Sequence, residues 1–151
     1  MLQLATKADR SAVNELAAQV HAMHVAWRPD IYCMADELYP QERFDAHLAN
    51  RELYVAKIEG NVAGYALLRM YENNRPGHVP RKLMLIDELC VHEACRGHGI
   101  GTQMMEDIHA LAKAFGCTSL KIGVYPQNED AIRFYERFGF AIRSIDMMKS
   151  V

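Results

Sequence analysis

The 151-residue sequence contains no run of basic residues, and no apolar run approaching the roughly 20 residues that a membrane-spanning helix needs. The second absence excludes a transmembrane helix. The first, with a formal net charge of −2, argues against nucleic acid as the main partner. The four cysteines, Cys33, Cys90, Cys95 and Cys117, form no CxxC pair. Two of them, Cys90 and Cys117, lie in apolar stretches where free cysteine behaves as a small hydrophobe. No leader-like segment opens the sequence, so the expected compartment is a reducing cytoplasm. No internal repeat, low-complexity tract or linker divides the chain, which predicts a single domain over residues 1–151.

Half of the residues are hydrophobic and 24% are charged, the balance of a globular protein able to bury a core without disulfide or metal. Leu2 to Leu4 is a short strand candidate. Thr6 or Asp9 is placed to cap a helix in which Val13, Leu16, Ala17 and Val20 recur at helical spacing, until Arg28-Pro29-Asp30 breaks the pattern. Asp30 to Tyr39 reads as irregular or briefly helical, and Pro40 opens a further helix to about Asn50. Leu53 to Ile58 and Val62 to Tyr71, joined by Glu59-Gly60-Asn61, predict a hairpin.

Glu72 to Pro80 is a polar loop, and Lys82 to Val91 a third strong strand. Ile100 to Phe115 forms an amphipathic helix stopped by Gly116. Thr118 to Tyr125 predicts a strand, Asn128 to Phe138 a helix, and Phe140 to Met148 a last strand. The order β-α-α-β-β-β-α-β-α-β is a mixed α/β fold, with parallel strands around the crossover helix.

Between the third strong strand and the amphipathic helix lies Arg96-Gly97-His98-Gly99-Ile100-Gly101. Glycines allow positive φ and leave no Cβ between backbone and ligand, and a helix N-terminus presents unpaired N–H groups to a phosphate. A tight strand-to-helix connection needs the same glycines, so the pattern alone leaves both readings open. A dinucleotide fingerprint is excluded, because its third glycine position falls on Thr102 or Met104. A P-loop is excluded because Gly-Lys-Ser/Thr occurs nowhere.

The stretch Leu89-Cys90-Val91-His92-Glu93-Ala94-Cys95-Arg96-Gly97-His98-Gly99-Ile100-Gly101 resembles the acetyl-CoA signature of the GNAT N-acetyltransferase superfamily. Arg96, Gly99 and Gly101 stand at its defining positions. Downstream, Asn128, Ala131, Phe134-Tyr135-Glu136 and Phe138-Gly139-Phe140 are similar to the family's second signature. Glu93 departs from the proline of many relatives.

The resemblance implies a GNAT-like central twisted mixed sheet flanked by helices, and transfer of acetyl from acetyl-CoA to a primary amine by direct attack in a ternary complex. It implies that Arg96, Gly97, His98, Gly99, Ile100, Gly101 and Thr102 hold the pyrophosphate. Leu89, Cys90 and Val91 would pair with the pantetheine arm, which Asn128 also bonds. A backbone N–H near Val91 would stabilise the oxyanion, and Tyr135 would protonate the departing thiolate. Tyr135 as a half-buried phenol bonded to a backbone carbonyl, and Asn128 as a plain helix cap, are the structural alternatives.

The amine must lose a proton before attack, and a carboxylate on the signature strand is the usual base. Asp87 and Glu88 are adjacent, so alternation sends them to opposite faces; Glu88 is favoured by analogy with polyamine-type relatives, and Asp87 is the alternate. Cys90, His92, Cys95 and His98 do not have a usual zinc spacing and overlap the glycine turn, so no metal is expected. His24, Trp27, Arg28, Asp30, Tyr32 and Glu37 fall where such proteins line the acceptor side. The acceptor is a small-molecule or peptide amine, with no nucleic acid or membrane partner. Homodimerisation suits a domain of this size, with no motif that fixes it. A catalytically silent acyl-CoA-binding module of the same fold is the alternative function.

Overall fold

A computed structural model describes residues 1–151. Strand β1 (Leu2–Leu4) leads through a 3-10 turn at Lys7–Asp9 into helix α1 (Arg10–Trp27), and α2 (Gln41–Ala49) follows. Strands β2 (Leu53–Ile58), β3 (Asn61–Asn73) and β4 (Arg81–Val91) come next, then α3 (Ile100–Ala114), β5 (Ser119–Ile122) and α4 (Glu129–Arg137). The strands form one sheet in the order β1-β2-β3-β4-β5. The first four are antiparallel neighbours, and β5 pairs parallel to β4 from Leu83↔Ser119 to Ile86↔Ile122. This parallel pair across α3 is the expected crossover unit. The mixed sheet with helices on both sides is the expected fold class.

Alternation along β2 explains how one sheet serves two cores. Tyr54 and Ala56 pack with Leu68, Met84 and Ile86 against Met104, Met105 and Ile108 of α3, and Tyr135 of α4 joins them. Leu53 and Val55 pack with Tyr65 and Leu67 against Val13, Leu16 and Ala17 of α1 and Phe44 of α2. Gly64 on β3 allows the closest approach. A Cβ there would lie 2.7 Å from both the Cys90 carbonyl oxygen and the Met104 sulfur.

Asp9 ties the first turn to the sheet. Its carboxylate accepts from the Thr6 amide (2.8 Å) and hydroxyl (2.9 Å), and lies 2.8 Å from the Lys57 ammonium. Burial opposes its ionisation, but Lys57 and Thr6 outweigh that and hold its pKa below the ordinary 3.8. A depressed carboxylate stabilises the fold above its unfolded pKa, and that contribution disappears as pH falls through the lower folded value. Asp9→Ala is expected to lower Tm by ~4–8 °C at neutral pH, from a loss of ~2 kcal/mol. The difference from the parent should close in thermal melts as pH drops below about 4, and an unchanged gap at low pH would rule out this linkage.

The expected strand Phe140–Met148 does not form: no strand or helix follows Arg137. Its apolar residues have strand character, but the segment does not run along the free edge of β5 and so forms no hydrogen-bond ladder.

Candidate active site

β4 and β5 pair only as far as Ile86↔Ile122, and β5 ends there while β4 continues to Val91. Asp87 to Val91 therefore has β3 on one side and an open cleft on the other. The His92 amide donates to the Ala63 carbonyl on β3 (2.8 Å). Alternation of the ladder consequently turns the N–H groups of Leu89 and Val91 toward the cleft.

At the mouth of this cleft the chain turns through Gly97 (φ +78°) and Gly99 (φ +80°) into α3. Both glycines are left-handed, which is why glycine is needed at these two positions. None of the amides from Gly97 through Thr102 finds an acceptor in the chain; the first bonded amide is Gln103, to the Gly99 carbonyl (3.0 Å). These donors sit at the positive end of the α3 dipole. Gly101 lies under Phe134 of α4 and Val91, where a Cβ would make ordinary contact at 3.5–3.6 Å.

The resulting groove, about 320 Å³, is lined by Val91, Arg96, Gly97, Gly99, Ile100, Gly101 and Thr102, together with Phe134 and Arg137. The last two extend the site beyond the sequence reading. Their i, i+3 spacing on a helix was the available signal, since it puts them on one face. The Arg96 Nε donates to the Val91 carbonyl (3.1 Å), fastening the turn to the strand end. His98 is exposed, with its Nδ1 2.9 Å from the Arg96 carbonyl.

Asn128 caps α4: its Oδ1 accepts from the Ala131 amide (3.2 Å). Tyr135, on the same helix, is 9% exposed, edge-on to Phe134 and Phe140. Its hydroxyl has no hydrogen-bond partner, yet it is not among the buried unpaired atoms, so it keeps access to solvent. The carbonyl-bonded phenol considered as the structural alternative is thus not what forms. Burial, with a smaller contribution from Cys90, pushes its pKa up to about 12.

The carboxylates depart from the simplest expectation. The register slips from Leu67↔Glu88 to Leu68↔Ile86, which leaves Asp87 as the extra residue of a β-bulge. Asp87 and Glu88 therefore share the face of α1 and α2, rather than taking opposite faces. Glu88 Oε2 accepts from the buried Tyr39 (2.8 Å) and Tyr65 (2.6 Å) hydroxyls, and Arg43 donates to Oε1 (3.0 Å). Burial and the neighbouring Glu88 charge raise the pKa of both phenols, so they remain donors. Asp87 pairs with Arg69 (2.6 Å), whose Nε is buried without a partner. Tyr39, Arg43 and Tyr65 are functional candidates that sequence reasoning missed. They lie 49, 45 and 23 residues from Glu88, and no local spacing links them.

Cys90 points the other way, into the α1 core, with its thiol 3.5 Å from the Leu16 carbonyl. Burial pushes its pKa up to about 11, so it is not an activated nucleophile. His92 Nδ1 accepts from the Ala94 amide and its Nε2 lies 3.6 Å from Glu15. No group of three or more His, Cys, Asp or Glu side chains gathers as a metal site.

Helix α1 continues through His24 and Trp27 to the segment that carries Arg28, Asp30, Tyr32 and Glu37. Arg28 pairs with Asp30 and Glu37 with Arg10. Tyr32 reaches across to Tyr125 beyond β5, hydroxyl to hydroxyl at 2.8 Å. His24 packs against both rings; burial, with His21, lowers its pKa against a weaker opposing pull from Glu88. His24, Tyr32 and Tyr125 thus form one aromatic cluster.

Comparison with known proteins matches this arrangement to one family: the profile described as "Acetyltransferase (GNAT) family" fits residues 18–140. The chain belongs to the GNAT acetyltransferase family. It is similar to the putative phosphinothricin acetyltransferase of Bacillus subtilis strain 168, at 31% identity over 68% of this chain and 63% of that protein. It is also similar to the spermine/spermidine N(1)-acetyltransferase of the same organism, at 31% identity over 54% of each chain. The matches thus span less than two thirds of these relatives. Among solved structures, the tetramutant BH1408 protein of Bacillus halodurans superposes with a TM-score of 0.94 at 30% identity, over 100% of this chain and 99% of that one. No helix is long and apolar enough to cross a membrane.

Proposed function

We propose that the chain transfers an acetyl group from acetyl-CoA to a primary amine of a small molecule or peptide, by direct attack in a ternary complex. The observation that carries this reading is the opening of β4 away from β5. It exposes unpaired backbone donors beside a solvent-reaching phenol, with an anchored carboxylate on the strand's other face. The amides of Gly97 to Thr102 would hold the pyrophosphate, beside Arg96 and Arg137. The open edge at Leu89, Cys90 and Val91 would hold the pantetheine as an added strand does, with Asn128 at the entrance to α4.

Glu88 would take the proton of the acceptor ammonium, directly or through a water. Tyr39, Tyr65 and Arg43 fix its orientation, which is what a positioned base requires. The freed amine then attacks the thioester carbonyl carbon. The Val91 N–H supports the charge that builds on its oxygen. Collapse breaks the carbon–sulfur bond as Tyr135 donates its proton to the leaving sulfur, and the nitrogen, charged by its attack, releases its second proton to water, from which the Tyr135 oxygen is reprotonated. The buried, high-pKa Cys90 leaves no route through an acyl-enzyme. Asp87, engaged by Arg69, is the second carboxylate of this face and the alternate base. The two Bacillus subtilis relatives are named for different amines, and the acceptor here is an amine of open identity.

Thiol release from acetyl-CoA, measured across free amino acids, polyamines, aminoglycosides and peptides with free N-termini, is expected to show amine-dependent turnover. Isothermal titration with coenzyme A alone serves as the parallel measurement. Binding of coenzyme A without turnover on any amine would leave a silent acyl-CoA-binding module instead. Absence of binding would remove the donor assignment.

A further inference from the structure

A single side-chain hydrogen bond ties the layer of α1 and α2 to the part of the chain that follows α3. The hydroxyls of Tyr32 and Tyr125 meet at 2.8 Å, and no other hydrogen bond or ion pair links residues 10–50 to residues 115–151. Tyr125 stands just past the end of β5, on the flank of the cleft that faces the open edge of β4. Tyr32 belongs to the segment between α1 and α2, whose other end supplies Tyr39, the buried donor to Glu88. The phenol pair therefore joins the layer that holds the carboxylate to the far flank of the cleft.

Both ends of the segment are fixed. At one end the Tyr32 amide donates to the Arg28 carbonyl (2.9 Å), and the Cys33 carbonyl oxygen lies 2.7 Å from His21 Nε2. The Tyr32 ring stacks on His24 at 5.3 Å, and the Tyr125 ring stands edge-on to both. At the other end the Asn14 side chain accepts from the Leu38 (3.1 Å) and Tyr39 (2.8 Å) amides and donates to the Tyr39 carbonyl (3.0 Å). Between them, the amides of Cys33 to Glu37 find no acceptor in the chain, and all five residues are exposed. The two rings thus stand in place as a bar between the flanks of the cleft. What closes it is one neutral hydroxyl pair, a bond that shifts an equilibrium about fivefold, together with the packing of the rings on His24.

We propose that Tyr32 and Tyr125 set the size of the acceptor: their bridge bars the exit that a peptide chain would need, and the amine that reaches Glu88 is a small molecule held within the cleft. This inference rests on the acetyl transfer proposed above. A peptide carries its chain onward from the N-terminal amine, and that chain has to leave between the two flanks. With the phenols joined, it leaves only by breaking their bond and displacing a ring from His24. A small amine needs neither. The two tyrosines discriminate between acceptors by what they obstruct, and they stand apart from the proton transfers at Glu88 and Tyr135.

The test compares kcat/KM for the best small amine of the panel with that for a short peptide bearing a free N-terminus. The parent is expected to favour the small amine by about tenfold or more. Tyr32→Phe/Tyr125→Phe keeps the rings and loses the bond, and should raise the peptide value about fivefold. Tyr32→Ala/Tyr125→Ala removes the bar and should raise it by about tenfold or more. Affinity for coenzyme A, measured by titration calorimetry, should stay unchanged in both. A rise in absolute peptide activity is a result that damage to the fold does not produce. A parent that uses the peptide as well as the small amine, or an alanine pair that leaves the peptide value where it was, would overturn the inference. A parent that binds coenzyme A and turns over no amine would instead remove acetyl transfer itself, and this inference with it.

Discussion

Tyr135→Phe is expected to lower kcat for acetyl transfer about 10²-fold, with KM for acetyl-CoA nearly unchanged. The substitution removes one oxygen, and that oxygen has no partner in the chain, so no internal hydrogen bond is lost. Packing against Phe134 and Phe140 is kept. The size of the effect follows from the acidity. With its pKa pushed up to about 12, the phenol is a poorer acid than an exposed tyrosine, while a free thiolate has a pKa near 8.5. Complete transfer to a free thiolate is uphill, so the hydroxyl acts by bonding to sulfur as charge builds. That places the effect at the lower end of the usual ~10²–10⁴-fold range. The same shift fixes a pH signature. An acid is lost on deprotonation, so the alkaline fall in kcat assigned to Tyr135 should lie above pH 10. The kcat of the variant equalling that of the parent, with chemistry shown to limit turnover, would leave Tyr135 a packing residue.

For Glu88→Gln the expected loss in kcat/KM for the acceptor is also ~10²-fold or more, with coenzyme A affinity preserved. The carboxamide cannot abstract a proton. Its NH₂ group would also face donors, because Tyr39, Tyr65 and Arg43 all bond toward the carboxylate. Both phenols already share Oε2, so an amide oxygen that keeps them turns its NH₂ group toward Arg43, and a drop in Tm of several degrees should accompany the loss of activity. Asp87→Asn is the control. Its carboxylate is engaged by Arg69, and the variant is expected to stay within about threefold of the parent. Steady-state kinetics that reverse this order would make Asp87 the base.

The turn proposed to hold the donor was legible because it is local. Gly97, Gly99 and Gly101 lie within five residues and build a turn whose geometry depends on their own φ angles and on the helix that follows. Asn128 and Tyr135 stand seven residues apart, at the cap and in the last turn of one short helix, so their relation also survives in the linear order. The acceptor side was not legible. Tyr39, Arg43 and Tyr65 converge on Glu88 from three elements, and nothing in the neighbourhood of each residue announces the meeting. Alternation misplaced Asp87 because it assumes an unbroken ladder. The bulge depends on how β3 and β4 register over ten paired positions, which two separate stretches of sequence do not specify. The missing last strand has a related cause, since strand propensity in Ile142 to Met148 becomes a strand only when the segment is laid along an edge, and it does not run along β5.

What the sequence by itself determined is the helices and every strand but the last, the glycine turn that opens α3 and the family resemblance, because these rest on periodicity and on residues close along the chain. The tertiary structure decided which carboxylate is held, by what, and on which face. It also decided that Cys90 turns away from the cleft, and that the β4 edge stands open from Asp87 to Val91. Those outcomes depend on contacts between residues distant in the chain, whose energies exist only once the sheet and its two helical layers have closed around them.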